Sequence, residues 1–174
     1  IKNHPKQTKF MPFGGSWIQK NNQLIHKKSQ MCSMIYSNKK SQIGHQLRHT
    51  IASTIQGVHL YGEGANNPIK IKDVGLMDYM FSIVVENVQL EGYFTEKIID
   101  SLLMGTIPIY WGCPNIGDYF DMNGILSFSS IDELNQLLSD MTEESYTSKL
   151  TSIKENFHLA QQFDIPEDWM YLNI

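Results

Sequence analysis

Hydrophobic and polar residues change their spacing near position 31. Up to there the chain is polar, basic and rich in Asn, Gln and Lys, interrupted by "FMPFGGSW", and no period of 2 or 3.6 persists. Residues 1–30 are therefore expected to be irregular, a basic linker or the remnant of a preceding domain. Beyond them, short apolar runs alternate with helical patterns. "MCSMIY" reads as a strand and "SNKKSQIG" as the loop that follows it. In "HQLRHTIASTI" Leu47, Ile51 and Ile55 recur every four residues, which predicts a helix. "VHLY" predicts a second short strand before the turn-rich "GEGANNP", and "FSIVV" has the continuous apolar, β-branched pattern of a strand buried on both faces.

After the loop "ENVQLEGYF" the pattern predicts a helix over about 95–104, with Thr95 placed to cap its start and Gly105 to end it. "TIPIYW" is a further strand in which Pro108, lacking a ladder donor, belongs at the beginning or at a bulge. "ILSF" is the fifth strand, and Ser130 with Glu133 marks a capping box for the helix "IDELNQLLSDM". A last helix is expected over about 143–162, with Tyr146, Leu150, Ile153 and Phe157 on one face. Strands alternating with helices at these connection lengths call for right-handed βαβ crossovers. The fold class is thus α/β, a Rossmann-like parallel sheet flanked by helices, with residues 31–174 as the folded domain.

Composition agrees with this picture: 174 residues with 41% hydrophobic and 18% charged content suit one globular domain. No run approaches the roughly 18 apolar residues that cross a membrane, and no signal-peptide or transit pattern is read within these residues. Cys32 lies in an apolar run and Cys113 in a loop, which predicts two free thiols in a reducing compartment, cytoplasmic or membrane-peripheral rather than secreted. Charge adds something new. The net charge is only -4, yet residues 1–62 carry nine Lys or Arg and no Asp or Glu, while all eighteen acidic residues lie after them. That asymmetry suggests an anionic partner, whether nucleic acid, phosphorylated ligand or membrane surface, against the plainer reading of a solvated basic face.

In an open parallel sheet, ligands bind at the carboxyl ends of the strands. After "MCSMIY" the chain offers Ser37, Asn38, Lys39, Lys40 and then Arg48; after "FSIVV" it offers Glu86, Asn87, Tyr93, Thr95, Glu96 and Lys97. Lys97 has the wrong sign for a helix start, whose free N–H groups already carry partial positive charge. An anion at that place would account for it. The helix N-terminus and Lys97 would together suit a diphosphate, with Arg48 adding a planar fork of two donors. Glu96 would suit ribose hydroxyls, and Tyr93 and Asn87 a base or sugar; the alternative is an ordinary surface loop. There is no P-loop and no Gly-x-Gly-x-x-Gly after a strand. His45 and His49 stand four apart, as zinc ligands can, but without the intervening Glu or a third ligand. No Asp-x-Asp occurs, so the cations for a diphosphate must come from Arg and Lys.

These residues carry a resemblance. "YMFSIVVENVQLEGYFTEKIIDSLLMGTIPIYWGCPNI" resembles the donor-binding signature of glycosyltransferase family 10, the α1,3/α1,4-fucosyltransferases, with Glu-Asn after a strand, Tyr-x-Thr-Glu-Lys, an apolar helix, Gly-x-x-Pro and Trp-Gly. "YSNKK" and "LRHTI" resemble the family's Ser-Asn segment and its arginine-bearing helix. The resemblance implies the C-terminal, GDP-fucose-binding half of a GT-B enzyme. It gives Lys97 and Arg48 to the diphosphate, Glu96 to the ribose, and Tyr93 and Asn87 to neighbouring parts of the donor. It further implies inverting transfer to a glycan hydroxyl, with GDP-fucose as substrate and no metal or other cofactor. Two departures stand out. The family's acceptor domain, which supplies the catalytic carboxylate, is not recognisable in residues 1–62, and Val88 stands where Ser usually follows Glu-Asn. Other readings are a GT-B transferase using another nucleotide sugar, and a non-catalytic nucleotide-sugar or glycan-binding module. A nucleic-acid binder using the basic front third is disfavoured by its evenly spread lysines and few nearby aromatics.

Overall fold

A strand buried on both faces needs helices above and below it, and alternate residues of the central strands go to opposite sides. The computed structural model describes residues 13–173. Five strands, β1 (Gln30–Ile35), β2 (His59–Tyr61), β3 (Tyr79–Val85), β4 (Ile107–Trp111) and β5 (Leu126–Ser127), form one sheet in the order β2-β1-β3-β4-β5. Every neighbouring pair is parallel, as the crossover argument requires. Ile83, Val85, Ile109 and Trp111 face one core with Ile51 of helix α1 (Ile43–Thr54), Leu134 of α3 (Ile131–Ser139) and Tyr146 of α4 (Glu143–Thr147). Val84 and Tyr110 face the other, packed against Ile98, Ile99, Leu102 and Leu103 of α2 (Glu96–Leu103). Each such fully buried aliphatic side chain contributes about 1.5–3 kcal/mol.

The strand order places the site. From β1 the chain moves outward to β2, then returns to lay β3 on the other side of β1, so the direction of winding reverses between β1 and β3. The loops leaving these two strands diverge to opposite faces, which opens a crevice at their carboxyl ends. The connection from β2 to β3 crosses beside it through short 3₁₀ turns, Glu63–Ala65 and Lys72–Gly75.

Several local expectations hold in detail. Thr95 caps α2, and Gly105, at φ +66°, takes the left-handed conformation that ends it. Ser130 accepts a hydrogen bond from the Glu133 N–H at the start of α3, but the Glu133 carboxylate accepts from the N–H and hydroxyl of Ser129 instead of Ser130, so the expected capping box is only half formed. Pro108 is the second residue of β4; β5 pairs only from Ile109 onward, so at Pro108 the ladder runs on one side alone. Helix α1 starts at Ile43, two residues earlier than its apolar period suggests, because Gln42 and His45 form a reciprocal cap.

The long last helix is an error of the sequence reading. The chain breaks at Ser148 and Lys149 into α4 and α5 (Leu150–Ala160), followed by a further helix, α6 (Pro166–Asn173). The Tyr146 hydroxyl turns inward to donate to the Gly105 carbonyl, 2.8 Å away. Fully buried Asn156 grips the backbone of Asp121 from both sides, its Nδ2 donating to the carbonyl and its Oδ1 accepting from the N–H, each at 2.8 Å. The inward face of α5 is therefore Ile153, Asn156 and Ala160, and Leu150 is exposed. A polar anchor overrode the apolar period.

Residues before Phe13, and with them part of "FMPFGGSW", lie outside the described residues. Residues 13–29 hold one 3₁₀ turn, Lys20–Asn22, and follow the surface of the domain. Gly14 bridges to Thr95, and Lys28 Nζ donates to the carbonyls of Met104 at 2.6 Å and Met77 at 3.0 Å and to Thr106 Oγ1 at 2.9 Å, at the carboxyl end of α2. Among the described residues no helix is long and apolar enough to cross a membrane.

Gly44 lets the first turn of α1 press against the chain leaving β3: its N–H donates to the Asn87 carbonyl at 2.9 Å, and a Cβ there would overlap the Glu86 carbonyl oxygen. Backbone on both sides leaves no flexible side chain to yield. Gly44→Ala is expected to destabilise the fold by about 3 kcal/mol, read as a shift of the urea midpoint with unchanged slope.

Candidate functional site

The crevice between the β1 and β3 loops is a cleft of about 580 Å³, and Arg48, Asn87, Tyr93, Glu96 and Lys97 all line it. Its floor is the end of β3, and its walls come from α1, the first turn of α2, and the β2–β3 connection. The sequence thus brings together five residues from three separate stretches.

The first turn of α2 is built around a carboxylate. Glu86, the residue after β3, has no exposed surface. Its Oε1 accepts from the Thr95 N–H at 2.9 Å, and its Oε2 accepts from the Thr95 hydroxyl at 2.8 Å and pairs with Lys97 Nζ at 3.3 Å. Thr95 Oγ1 in turn accepts from Lys97, at 2.9 Å from Nζ and 3.5 Å from the backbone N–H. Lys97 completes its shell with Glu96 Oε1 at 3.2 Å. The lysine at the positive end of the helix is therefore the counter-ion of buried Glu86, which no period or spacing reveals.

Arg48 is 5% exposed and more committed than the sequence reading allowed. Its Nε and Nη2 both donate to the Val85 carbonyl, at 3.0 and 2.6 Å, and Nη2 also donates to Asn87 Oδ1 at 2.8 Å. Only Nη1 makes no hydrogen bond among the described residues, so the expected fork becomes a single amino group with two donors. Burial lowers the guanidinium from its ordinary value, opposed by Glu86 and Glu96. Asn87 is likewise occupied through Oδ1, leaving its amide nitrogen for a ligand. Tyr93 is half-buried with the ring of Phe13 edge-on at 5.3 Å.

Glu96 feels opposing influences: burial raises its carboxyl pKa, but Lys97 and Lys72 outweigh that and hold it below the ordinary value. The pairing with Lys72 was not foreseen, nor was Asp100, which also lines the cleft and pairs with Lys72 at 2.9 Å. Asp100 could have been noticed, since a carboxylate among Ile98, Ile99, Leu102 and Leu103 interrupts an apolar face. Lys72 carries no sequence signal. His45 and His49 do not converge. His45 Nδ1 accepts from the Gln42 N–H at 3.2 Å, which puts the proton of the neutral ring on Nε2, while His49 Nε2 lies 3.1 Å from the Lys39 carbonyl. Burial, with Arg48 and Lys39 nearby, lowers the His45 pKa. The cations of the cleft come from both halves of the chain, Lys39 and Arg48 from the basic front and Lys72 and Lys97 from the acidic body.

Chemically, the arrangement offers a helix N-terminus, the ammonium group of Lys97 and one amino group of an arginine around a concave floor, beside a carboxylate that can accept from hydroxyls. Comparison with known proteins places the chain in a family. A family model described as glycosyltransferase family 10 (fucosyltransferase) C-term matches residues 25–166. The alpha-(1,3)-fucosyltransferase FucT of Helicobacter pylori is 41% identical over 68 residues, covering 37% of this chain and 14% of that protein. Alpha-(1,3)-fucosyltransferase B of Drosophila melanogaster is 33% identical over 87 residues, covering 50% and 18%. A crystal structure of alpha1,3-fucosyltransferase with GDP-fucose superposes with a TM-score of 0.60 at 26% identity, over 78% of this chain and 47% of that one. These matches span under half the length of the relatives. With well over half of its residues matched, the chain belongs to glycosyltransferase family 10, the fucosyltransferases, and corresponds to their C-terminal part.

Proposed function

We propose that this chain is the donor-binding part of a fucosyltransferase that transfers fucose from GDP-fucose, with inversion, to a hydroxyl of a glycan acceptor. The observation that carries this reading is the convergence of Arg48, Asn87, Tyr93, Glu96 and Lys97 in one cleft at the switch point of the sheet. GDP leaves with added negative charge, and groups that meet the charge as it develops lower the barrier. Lys97 and the first N–H groups of α2 take the diphosphate from one side and Arg48 Nη1 from the other. Glu96 accepts from the ribose, and Tyr93 and Asn87 line the remaining donor contacts. The proton of the acceptor hydroxyl goes to a base in the acceptor-binding part of the enzyme, and none of these five residues is assigned that role. The segment that precedes β1 leads into the donor domain, taken to begin at about residue 31.

Lys97 has two duties in this scheme, ligand and counter-ion of Glu86, and variants separate them. Lys97→Met alone is expected to weaken GDP binding at least about tenfold by calorimetry and also to lower stability by about 3 kcal/mol, because Glu86 is left charged and unpaired. Lys97→Met with Glu86→Gln should recover the stability and not the affinity. Native affinity in the double variant would remove Lys97 from the diphosphate site.

The diphosphate charge is assigned to protein cations, so a chelator should leave GDP affinity unchanged, and added manganese should not raise it. Loss of binding in EDTA with recovery on manganese would contradict the assignment. Thermal shifts larger with UDP or CMP than with GDP would point to another nucleotide sugar.

A further inference from the structure

Giving Lys97 to the diphosphate and Glu96 to the ribose strains one ion pair. Lys97 Nζ lies 3.2 Å from Glu96 Oε1, and a lysine that turns toward phosphate loosens that grip. A second cation faces the same oxygen. Lys72 Nζ stands 3.7 Å from Glu96 Oε1 and 2.9 Å from Asp100 Oδ2. Glu96 and Asp100 are four residues apart on one face of α2, where like charges repel, so the cation between them decides whether both stay in place. Asp100 is itself fixed. It is 1% exposed, and its Oδ1 accepts from Ser16 Oγ and from the Trp17 N–H, each at 2.8 Å. The Trp17 ring flanks Lys72, its centroid 5.8 Å from Nζ. Both ion pairs of Glu96 are made through Oε1, so Oε2 is left to face a ligand.

We propose that Lys72, anchored on Asp100, is a positioning residue for ribose recognition: it holds Glu96 through Oε1 while Oε2 accepts from the ribose hydroxyls and Lys97 serves the diphosphate. The proposal rests on the reading of Glu96 as the ribose acceptor. Lys72 touches no part of the nucleotide in this scheme. Its effect is therefore confined to discrimination for the ribose hydroxyls.

The test compares GDP with 2′,3′-dideoxy-GDP by calorimetry on this chain and its variants. Because Lys72→Met alone would strand a buried carboxylate, the informative variant is Lys72→Met with Asp100→Asn, which keeps an acceptor for Ser16 and Trp17. The native chain is expected to favour GDP about tenfold or more, the worth of a hydrogen bond to a charged group. Glu96→Ala should bring that ratio close to unity. The Lys72→Met, Asp100→Asn variant should reduce it at least about threefold while leaving the affinity for the dideoxy nucleotide within about threefold of native, and Lys72→Arg should retain the native ratio. A native ratio in the double variant, with the ratio collapsed in Glu96→Ala, overturns the role of Lys72. Equal weakening of both nucleotides overturns it too, as the mark of a merely structural residue. A native ratio in Glu96→Ala instead overturns the ribose reading itself, and the proposal falls with it.

Discussion

At the end of the innermost strand a carboxylate is sealed from water, and an unpaired charge in that position would cost several kcal/mol. Glu86 escapes that cost through the N–H and hydroxyl of Thr95 and the ammonium of Lys97. Three consequences follow from this one set of contacts. The start of α2 is pinned to the end of β3 across the eight residues between Glu86 and Thr95. The cap of α2 acquires its orientation, since Thr95 both donates to Glu86 and accepts from Lys97. The ammonium of Lys97 stands at the mouth of the cleft before any ligand arrives.

The sheet, its helices and the place of the site were legible because each rests on local chemistry. Thr95, Gly105 and Ser130 announce helix ends, and "FSIVV" announces a strand covered on both faces. What was not legible depends on burial and on partners distant in the chain. Lys97 looked like a cation waiting for an external anion, although its first anion is Glu86. Arg48 looked like a fork, although one edge of it is spent on the Val85 carbonyl. Leu150 fitted an apolar period over 143–162, but buried Asn156 sets the face of α5 by gripping the Asp121 backbone. The Lys72 and Asp100 pair joins a 3₁₀ turn to a helix 28 residues away, and no spacing rule reaches that far.

The two lysines beside α2 are consequently paired charges rather than part of an exposed basic patch. Lys97 is shared between Glu86 and Glu96, and Lys72 between Glu96 and Asp100. Such sharing limits the attraction of arbitrary polyanions to Lys72 and Lys97, because each of the two already has a carboxylate within 4 Å, whereas exposed Lys39 makes no ion pair among the described residues. It favours a ligand able to replace one of those contacts with better geometry, as a diphosphate seated on a helix N-terminus does.

Asp100 binds two things at once, Lys72 through one oxygen and the chain at Ser16 and Trp17 through the other. It lies one helical turn beyond Glu96. The segment entering the domain is thereby fastened to the same helix that carries Glu96 and Lys97, and not only to the start of β1 where it joins the sheet. In mechanical terms the fastening is a lever: a pull or twist applied to the chain at position 17 is carried through Asp100 to the helix on which Glu96 and Lys97 stand.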